Sequence, residues 1–367
     1  MNWMRPTLAK NNLFLLTIIS VCLFLEAVSA HPSPRSIEEL DQAIAQQPDN
    51  AQLFFERGQT HMAGQAFPRA ILDLDQALRL DAEFLDALAL RGQAYGELGN
   101  WSRALQDYTT LLDREPGDEQ ALFGAAQARL QLKDTHQALA HINRLLDISP
   151  RHMQARLMRG NIFLEQKEYQ QARGEFDMVL AQDGQLADAY VGRGVALREM
   201  ELHPEAIRDL NQAVRLQPNA KAFVERGVAF GRSGELRHAL DDFNAALQLS
   251  PKAANIYFHR ATTYFLAGEH QKALADFDRL LLHDPDNVQA LLGRGLVHQR
   301  QERFDRAIED YTRAIHLDEK NSGALNNRGM VYLQTGQLAL GCADLLKACD
   351  LGQCATLDFA RKEGYCP

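Results

Sequence analysis

The 367-residue chain has 46% hydrophobic and 24% charged residues, a balance that folds in water and excludes wholesale disorder. Its formal net charge of −9 argues against nucleic acid or an anionic membrane surface as partner. Length alone would suggest two or three domains, but an internal period overrides that estimate.

Residues 1–30 stand apart. Arg5 and Lys10 precede the apolar run Leu13–Leu25, and Val28-Ser29-Ala30 supplies small residues at a cleavage point. That is the pattern of a secretory signal peptide cut after Ala30. The alternative is an uncleaved anchor, against which stands a run of thirteen residues, short for a spanning helix. Cys22 lies inside the run with no small residue just before it, which argues against a lipoprotein signal. Cleavage leaves 37 basic against 47 acidic residues, a mature balance of −10, and no membrane insertion is expected of the mature chain.

His31–Arg35 reads as a linker, and Ile37–Gln47 as an amphipathic helix with Ile37, Leu40, Ala43 and Ile44 on one face. Residues 31–50 therefore form a linker and an N-terminal half-unit. From Ala51 to residue 353 the chain repeats. Leu85–Asp118 shows the unit: one helical pattern carries Arg91, Gly92 and Tyr95, and a second carries Ala104, Tyr108 and Leu111. Gly99-Asn100 separates them, and Pro116-Gly117 ends the second. The glycine recurs as Gly58, Gly160, Gly194, Gly227, Gly295 and Gly329, with Ala126 and Ala261 in its place in two units. The intervals are 34 residues, except 33 between Gly194 and Gly227. The alanine recurs as Ala70, Ala138, Ala172, Ala206, Ala239, Ala273 and Ala307, with Gly341 in the last unit. Small residues let paired helices approach closely, and Pro116, Pro150, Pro218, Pro251 and Pro285 stop the second helix.

This pattern resembles the tetratricopeptide repeat family over residues 51–353, in nine repeats. The resemblance implies an all-α, right-handed superhelical solenoid of antiparallel helix pairs, with a concave groove that binds other proteins or peptide segments.

One position departs from the family pattern, which places a large apolar residue before the small glycine. Here stand Arg57, Arg91, Arg159, Arg193, Arg226, Arg260, Arg294 and Arg328, with Ala125 as the exception. Sixteen residues later lie Asp73, Asp107, Glu175, Asp209, Asp242, Asp276, Asp310 and Asp344, with His141 as the exception. Both exceptions fall in one unit, which points to eight salt bridges within units, along the seam between paired helices. Guanidinium suits such a seam because it bonds a carboxylate through two donors. The competing reading, a charged track for a ligand, has little free charge to work with.

The family geometry turns the second, fifth, ninth and twelfth residues of each first helix toward the groove. The candidate ligand contacts are then Gln52, Phe55, Gln59, Gln93, Phe123, Gln127, Asn161, Asn255, Phe258, Phe265 and Asn326. An amide both donates to and accepts from a peptide backbone, and aromatic rings shape side-chain pockets. The competing role for each is packing against a neighbouring helix. The carboxylate clamp of chaperone-binding members needs Lys and Asn here, whereas the first unit has Phe55 and Gln59.

Four of five cysteines lie in Cys342–Cys366, and the fifth, Cys22, leaves with the signal. An even number in an exported chain favours two disulfides. Cys342 and Cys349, seven apart on one expected helix, sit roughly 10 Å apart, too far to bridge. With residues 354–367 folding back as a capping helix, the expected pairs are Cys349–Cys354 and Cys342–Cys366. A zinc site is the alternative, and no Cys-x-x-Cys supports it.

No His-Glu-x-x-His, Gly-x-Ser-x-Gly or phosphate loop occurs, so neither a cofactor nor catalysis is expected. Asn100-Trp101-Ser102 matches a glycosylation acceptor. The reading is a non-catalytic interaction scaffold in an exported compartment: a bacterial periplasm first, the secreted medium or endoplasmic-reticulum lumen as alternatives. A second hypothesis is a lumenal or periplasmic co-chaperone that holds clients. The J-domain members of that group carry His-Pro-Asp, where this chain has only His203-Pro204-Glu205. No oligomeric state is implied.

Overall fold

The structure, a computed structural model, describes residues 35–367, and its regular elements are all α-helices. The expected signal peptide and most of the linker lie outside the described residues. The chain divides into two compact units, one ending at Pro116 and one starting at Gly117. Unit 1 holds α1 (Ile37–Gln46), α2 (Ala51–Ala63), α3 (Phe67–Leu80), α4 (Leu85–Glu97) and α5 (Trp101–Arg114). Unit 2 begins with α6 (Glu119–Gln131), α7 (Thr135–Ile148), α8 (Met153–Glu165), α9 (Tyr169–Gln182) and α10 (Ala187–Glu199). It continues with α11 (His203–Leu216), α12 (Ala220–Arg232), α13 (Leu236–Leu249), α14 (Ala254–Leu266) and α15 (His270–His283). The last elements are α16 (Val288–Arg300), α17 (Phe304–Leu317), α18 (Ser322–Gln334), α19 (Leu338–Asp350) and α20 (Ala355–Lys362). From α2/α3 to α18/α19 these form nine helix pairs, with α1 packed on α2 and α20 on α19.

Local chemistry sets the boundaries. Asn50, Asp118, Asn219, Asn287 and Asn321 each cap a first helix by accepting a backbone N–H inside its first turn. The turn inside each pair needs one left-handed residue. Glycine supplies it at Gly99, Gly234, Gly268 and Gly336, but Gln65, Lys133, Lys167, Glu201 and Glu302 adopt it without glycine. Each of those five carries a strain of about 1–2 kcal/mol that the pair's packing offsets.

The helices of a pair meet where the sequence is small. The recurring alanines of the second helices are fully buried. The first-helix glycine, however, lies under a large side chain further along its partner: Gly92 under Tyr108, Gly160 under Phe176, Gly227 under Phe243, Gly295 under Tyr311. In the last pair the two small positions also meet directly, a Cβ on Gly329 lying 3.1 Å from the Gly341 carbonyl oxygen, and in the first pair one on Gly58 would lie 3.6 Å from the Ala70 carbonyl oxygen. Phe176, Phe243, Phe277 and Tyr311 are among the largest fully buried side chains.

Within each unit, a second helix packs on the first helix of the following pair. First helices also touch first helices, as α2 with α4 in unit 1 and α8, α10, α12, α14, α16 and α18 in succession in unit 2. Second helices make no comparable contacts with one another, so the first helices form the inner layer of each unit.

At the C-terminal end, Cys342 and Cys366 lie at disulfide distance (1.96 Å), as do Cys349 and Cys354 (1.90 Å). They hold α20 over Leu345, where Leu357 and Ala360 complete a small cluster. The Cys342–Cys366 pair spans 24 residues, and its removal as Cys342→Ser/Cys366→Ser should destabilise this end by about 3 kcal/mol. Amide exchange in α20 is the measurement: protection should fall there first. Unchanged protection would show that packing alone holds the cap.

Candidate partner-binding face

A charged seam runs between the paired helices. Arg91 donates from Nε and Nη2 to the two carboxylate oxygens of Asp107, at 2.9 and 2.7 Å. The same two-point bond joins Arg57–Asp73, Arg193–Asp209, Arg226–Asp242, Arg260–Asp276, Arg294–Asp310 and Arg328–Asp344. In the pair α8/α9, Glu175 accepts from Arg159 with one oxygen and from Arg156 with the other, at 2.7 and 2.9 Å. Arg156 had no place in the sequence pattern.

Each arginine also has a second acceptor that the sequence reading missed. Its Nη1 reaches back to the second helix of the preceding pair, or to α1: Arg57 to Asp41, Arg91 to Asp75, Arg193 to Asp177, Arg294 to Asp278. Where that residue is neutral, the bond persists, with Asn143, Asn211, Asn244 or Thr312 accepting. The guanidinium therefore clamps two successive pairs. Burial works against the Arg91 charge, but its bonds to Asp107 and Asp75 hold its pKa above the ordinary arginine value. Burial pushes the Asp107 carboxyl up, and Arg91 pulls it back. In the exceptional pair α6/α7, Ala125 is fully buried. His141 is half-buried there, its imidazole held low by burial and by Arg129 and Arg144. These charges are consumed by the frame.

The inner layer carries the candidate ligand contacts. Gln52, Gln59 and Gln93 in unit 1, and Gln127, Asn161 and Asn255 in unit 2, are exposed. Gln52 is partly engaged, donating to Glu56 at 3.2 Å. Phe123, Phe258, Phe265 and Asn326 are half-buried; the Phe123 and Phe265 rings lie tilted against His152 and His270, and Phe258 meets His259 edge-on. The Asn326 side-chain oxygen has no partner. Phe55 is a correction. It is only 8% exposed, and its ring lies 4.8 Å from that of Phe84, so it belongs to the core of unit 1 rather than to a ligand surface. The physical reason is Phe84, a residue just before α4 that covers the fifth position of α2. Arg198, on the same inner layer, is also occupied: Glu199 and Glu225 both accept from it.

The ninth residue of successive first helices is Gln59 and Gln93 in unit 1, then Gln127 and Asn161 at the start of unit 2. From α10 onward the same position is Val195, Val228, Thr262, Leu296 and Met330. Exposed amides can bond a backbone through both edges, and the later positions offer apolar contact. Among the described residues, no cluster of three or more His, Cys, Asp or Glu could hold a metal ion. Among them too, no helix is long and apolar enough to cross a membrane.

Stacked helix pairs with an inner layer of exposed amides and ring edges define a helical-repeat interaction protein. A family model described as "Tetratricopeptide repeat" matches residues 23–83, 90–152, 132–187, 157–221, 191–254, 224–290, 258–322 and 292–353. The chain belongs to the tetratricopeptide repeat family. The APC/C hetero-tetramer Cut9–Hcn1 is similar in fold, at 15% identity and a TM-score of 0.56, over 89% of this chain and 80% of that one. YrrB, a TPR protein with an unusual peptide-binding site, is 18% identical over 51% of this chain and 97% of its own, at a TM-score of 0.41. A tetratricopeptide repeat protein from Parabacteroides merdae is 19% identical over 77% of this chain and 98% of its own, at 0.45. No curated protein sequence matches the chain significantly.

Proposed function

We propose that the protein is a non-catalytic scaffold whose inner helix layers hold extended or helical segments of partner proteins. The observation that carries this is the contrast between the two polar systems. The seam arginines are bonded to carboxylates, amides and one hydroxyl, with only the buried Nε of Arg159 left over, whereas Gln127, Asn161 and Asn255 stand exposed. Only the second system has hydrogen-bonding capacity left for a ligand. The basic and apolar leader at residues 1–30, together with two cysteine pairs at disulfide distance, supports an exported compartment, a periplasm first.

Affinity capture from the host's own envelope fraction tests the reading. The mature chain should retain a defined set of partners that a Phe123→Ser/Phe258→Ser/Phe265→Ser variant of equal helicity loses. Retention of every partner by the variant would refute the inner-face assignment. A mature N-terminus at His31 is expected on the exported protein.

A further inference from the structure

On the second-helix side of unit 2, away from the inner layer, a cavity of about 600 Å³ lies between α15 and α17 with α16 as its floor. Its charged lining is Asp278, Arg294, Arg303, Arg306, Glu309 and Asp310, with Gln271 and His298 beside them. Arg294 is committed to the seam through Asp310 and Asp278. Arg303 and Arg306 are exposed, and among the described residues neither has an ion-pair partner. His298 differs from both groups. It is only 6% exposed, and its Nδ1 has no hydrogen-bond partner.

The repeat itself does not explain that imidazole. The same helix position holds Tyr95 in α4 and Tyr264 in α14, whose rings lie under the cations of Arg103 and Lys272, at 5.5 and 5.3 Å. In α2 it holds His61, whose Nε2 lies 3.6 Å from Asp73. The tyrosine rings lie under a cation at this position, and His61 lies beside a carboxylate. His298 leaves a buried polar atom unbonded, which is unfavourable unless something else completes it.

We propose that this cavity receives one oxyanion group, a carboxylate or phosphate on a side chain of a partner protein, held by Arg303 and Arg306 at the mouth and by His298 within. Two guanidiniums converging on one site match an oxyanion's geometry, and a buried imidazole N–H adds a third donor. The electrostatics agree. Burial holds the His298 imidazole below its usual value, Asp310 opposes this, and Arg294, Arg306 and Arg303 all disfavour a further positive charge there. Of the charged groups around the cavity, Arg294 is offset by Asp278 and Asp310, which leaves Arg303 and Arg306 against the single carboxylate of Glu309. The contact would be a second docking point, on the other side of the helix layers from the partner-binding face.

Nitrogen-15 spectra of the His298 ring in the whole mature protein test this, with inorganic phosphate and glutarate as separate probes at constant ionic strength. At least one probe should shift the ring signals saturably below about 50 mM and raise the imidazole pKa. Phosphate alone would indicate a phosphorylated side chain as the source, and glutarate an acidic one. The surface variant Arg303→Gln/Arg306→Gln should weaken the binding at least about tenfold while leaving helicity unchanged. His298→Gln should remove the reporting signal and assign it. An absence of saturable shift with both probes, an equal shift with chloride, or full binding by the arginine double variant would overturn the proposal.

Discussion

Arg91→Met is expected to destabilise unit 1 by up to about 3–5 kcal/mol, and Asp107→Leu by clearly less. The two halves of the bridge are unequally exposed: the Arg91 side chain is 21% exposed and that of Asp107 6%. Loss of the arginine strands a buried carboxylate. Loss of the carboxylate leaves a guanidinium that still bonds Asp75 at 2.7 Å and reaches water. An isolated pair would give equal penalties, and the second acceptor removes that symmetry. The double variant Arg91→Met/Asp107→Leu should recover much of the loss, because two apolar side chains replace a desolvated pair. The pH dependence follows from the stranded Asp107. Its folded pKa lies above its unfolded value because of burial, so the stability lost in Arg91→Met grows as pH rises through that folded pKa. Urea unfolding, read through amide protection in α4 and α5, should show a smaller penalty in acid than at neutral pH. Equal single-variant losses that add in the double variant would contradict the clamp.

Gly192→Ala is expected to destabilise unit 2 by about 1–3 kcal/mol, although alanine is the better helix former. A Cβ at Gly192 would lie 2.3 Å from Cζ of Phe176, which is fully buried in the preceding pair. The same ring tip also lies close to the Gly160 backbone, where a Cβ would meet Cζ at 2.8 Å, so the ring is already packed tightly between two glycine-bearing helices. Phe277 and Gly293 repeat the arrangement, with a Cβ contact of 2.4 Å. Where the ring is Phe243, the following pair has His259 in place of glycine, and the two rings stack at 5.8 Å and 14° instead. Phe176→Leu should therefore rescue Gly192→Ala in thermal unfolding, although alone it destabilises. A neutral or stabilising Gly192→Ala would show that the ring shifts freely.

The repeat, its period and the partner of each seam arginine could be read from the chain because their signals coincide. The glycine and alanine columns mark the pair, and Ala125 and His141 fail together in one unit. The second acceptor was not read, though in most repeats it lies sixteen residues before the arginine. Its chemistry varies between Asp, Asn and Thr, and a column of mixed acceptors does not stand out. Phe55 was misassigned because a face rule places a residue relative to its own helix. Whether it meets a ligand was decided by Phe84, a loop residue of the next pair. Gly192 and Gly293 carried no visible signal, since each answers a ring sixteen residues earlier and only some units have that ring. The unpartnered state of His298 is a property of tertiary packing alone.

The central claim is that seam charge is frame and the inner layer is the binding surface. Parallel capture by three proteins from the same envelope fraction tests it most directly: the mature chain, its Phe123→Ser/Phe258→Ser/Phe265→Ser variant, and its Arg193→Met/Asp209→Leu variant. The account predicts that the seam variant keeps the partners and the inner-face variant loses them. Loss of partners from a folded seam variant, with retention by the inner-face variant, would contradict it.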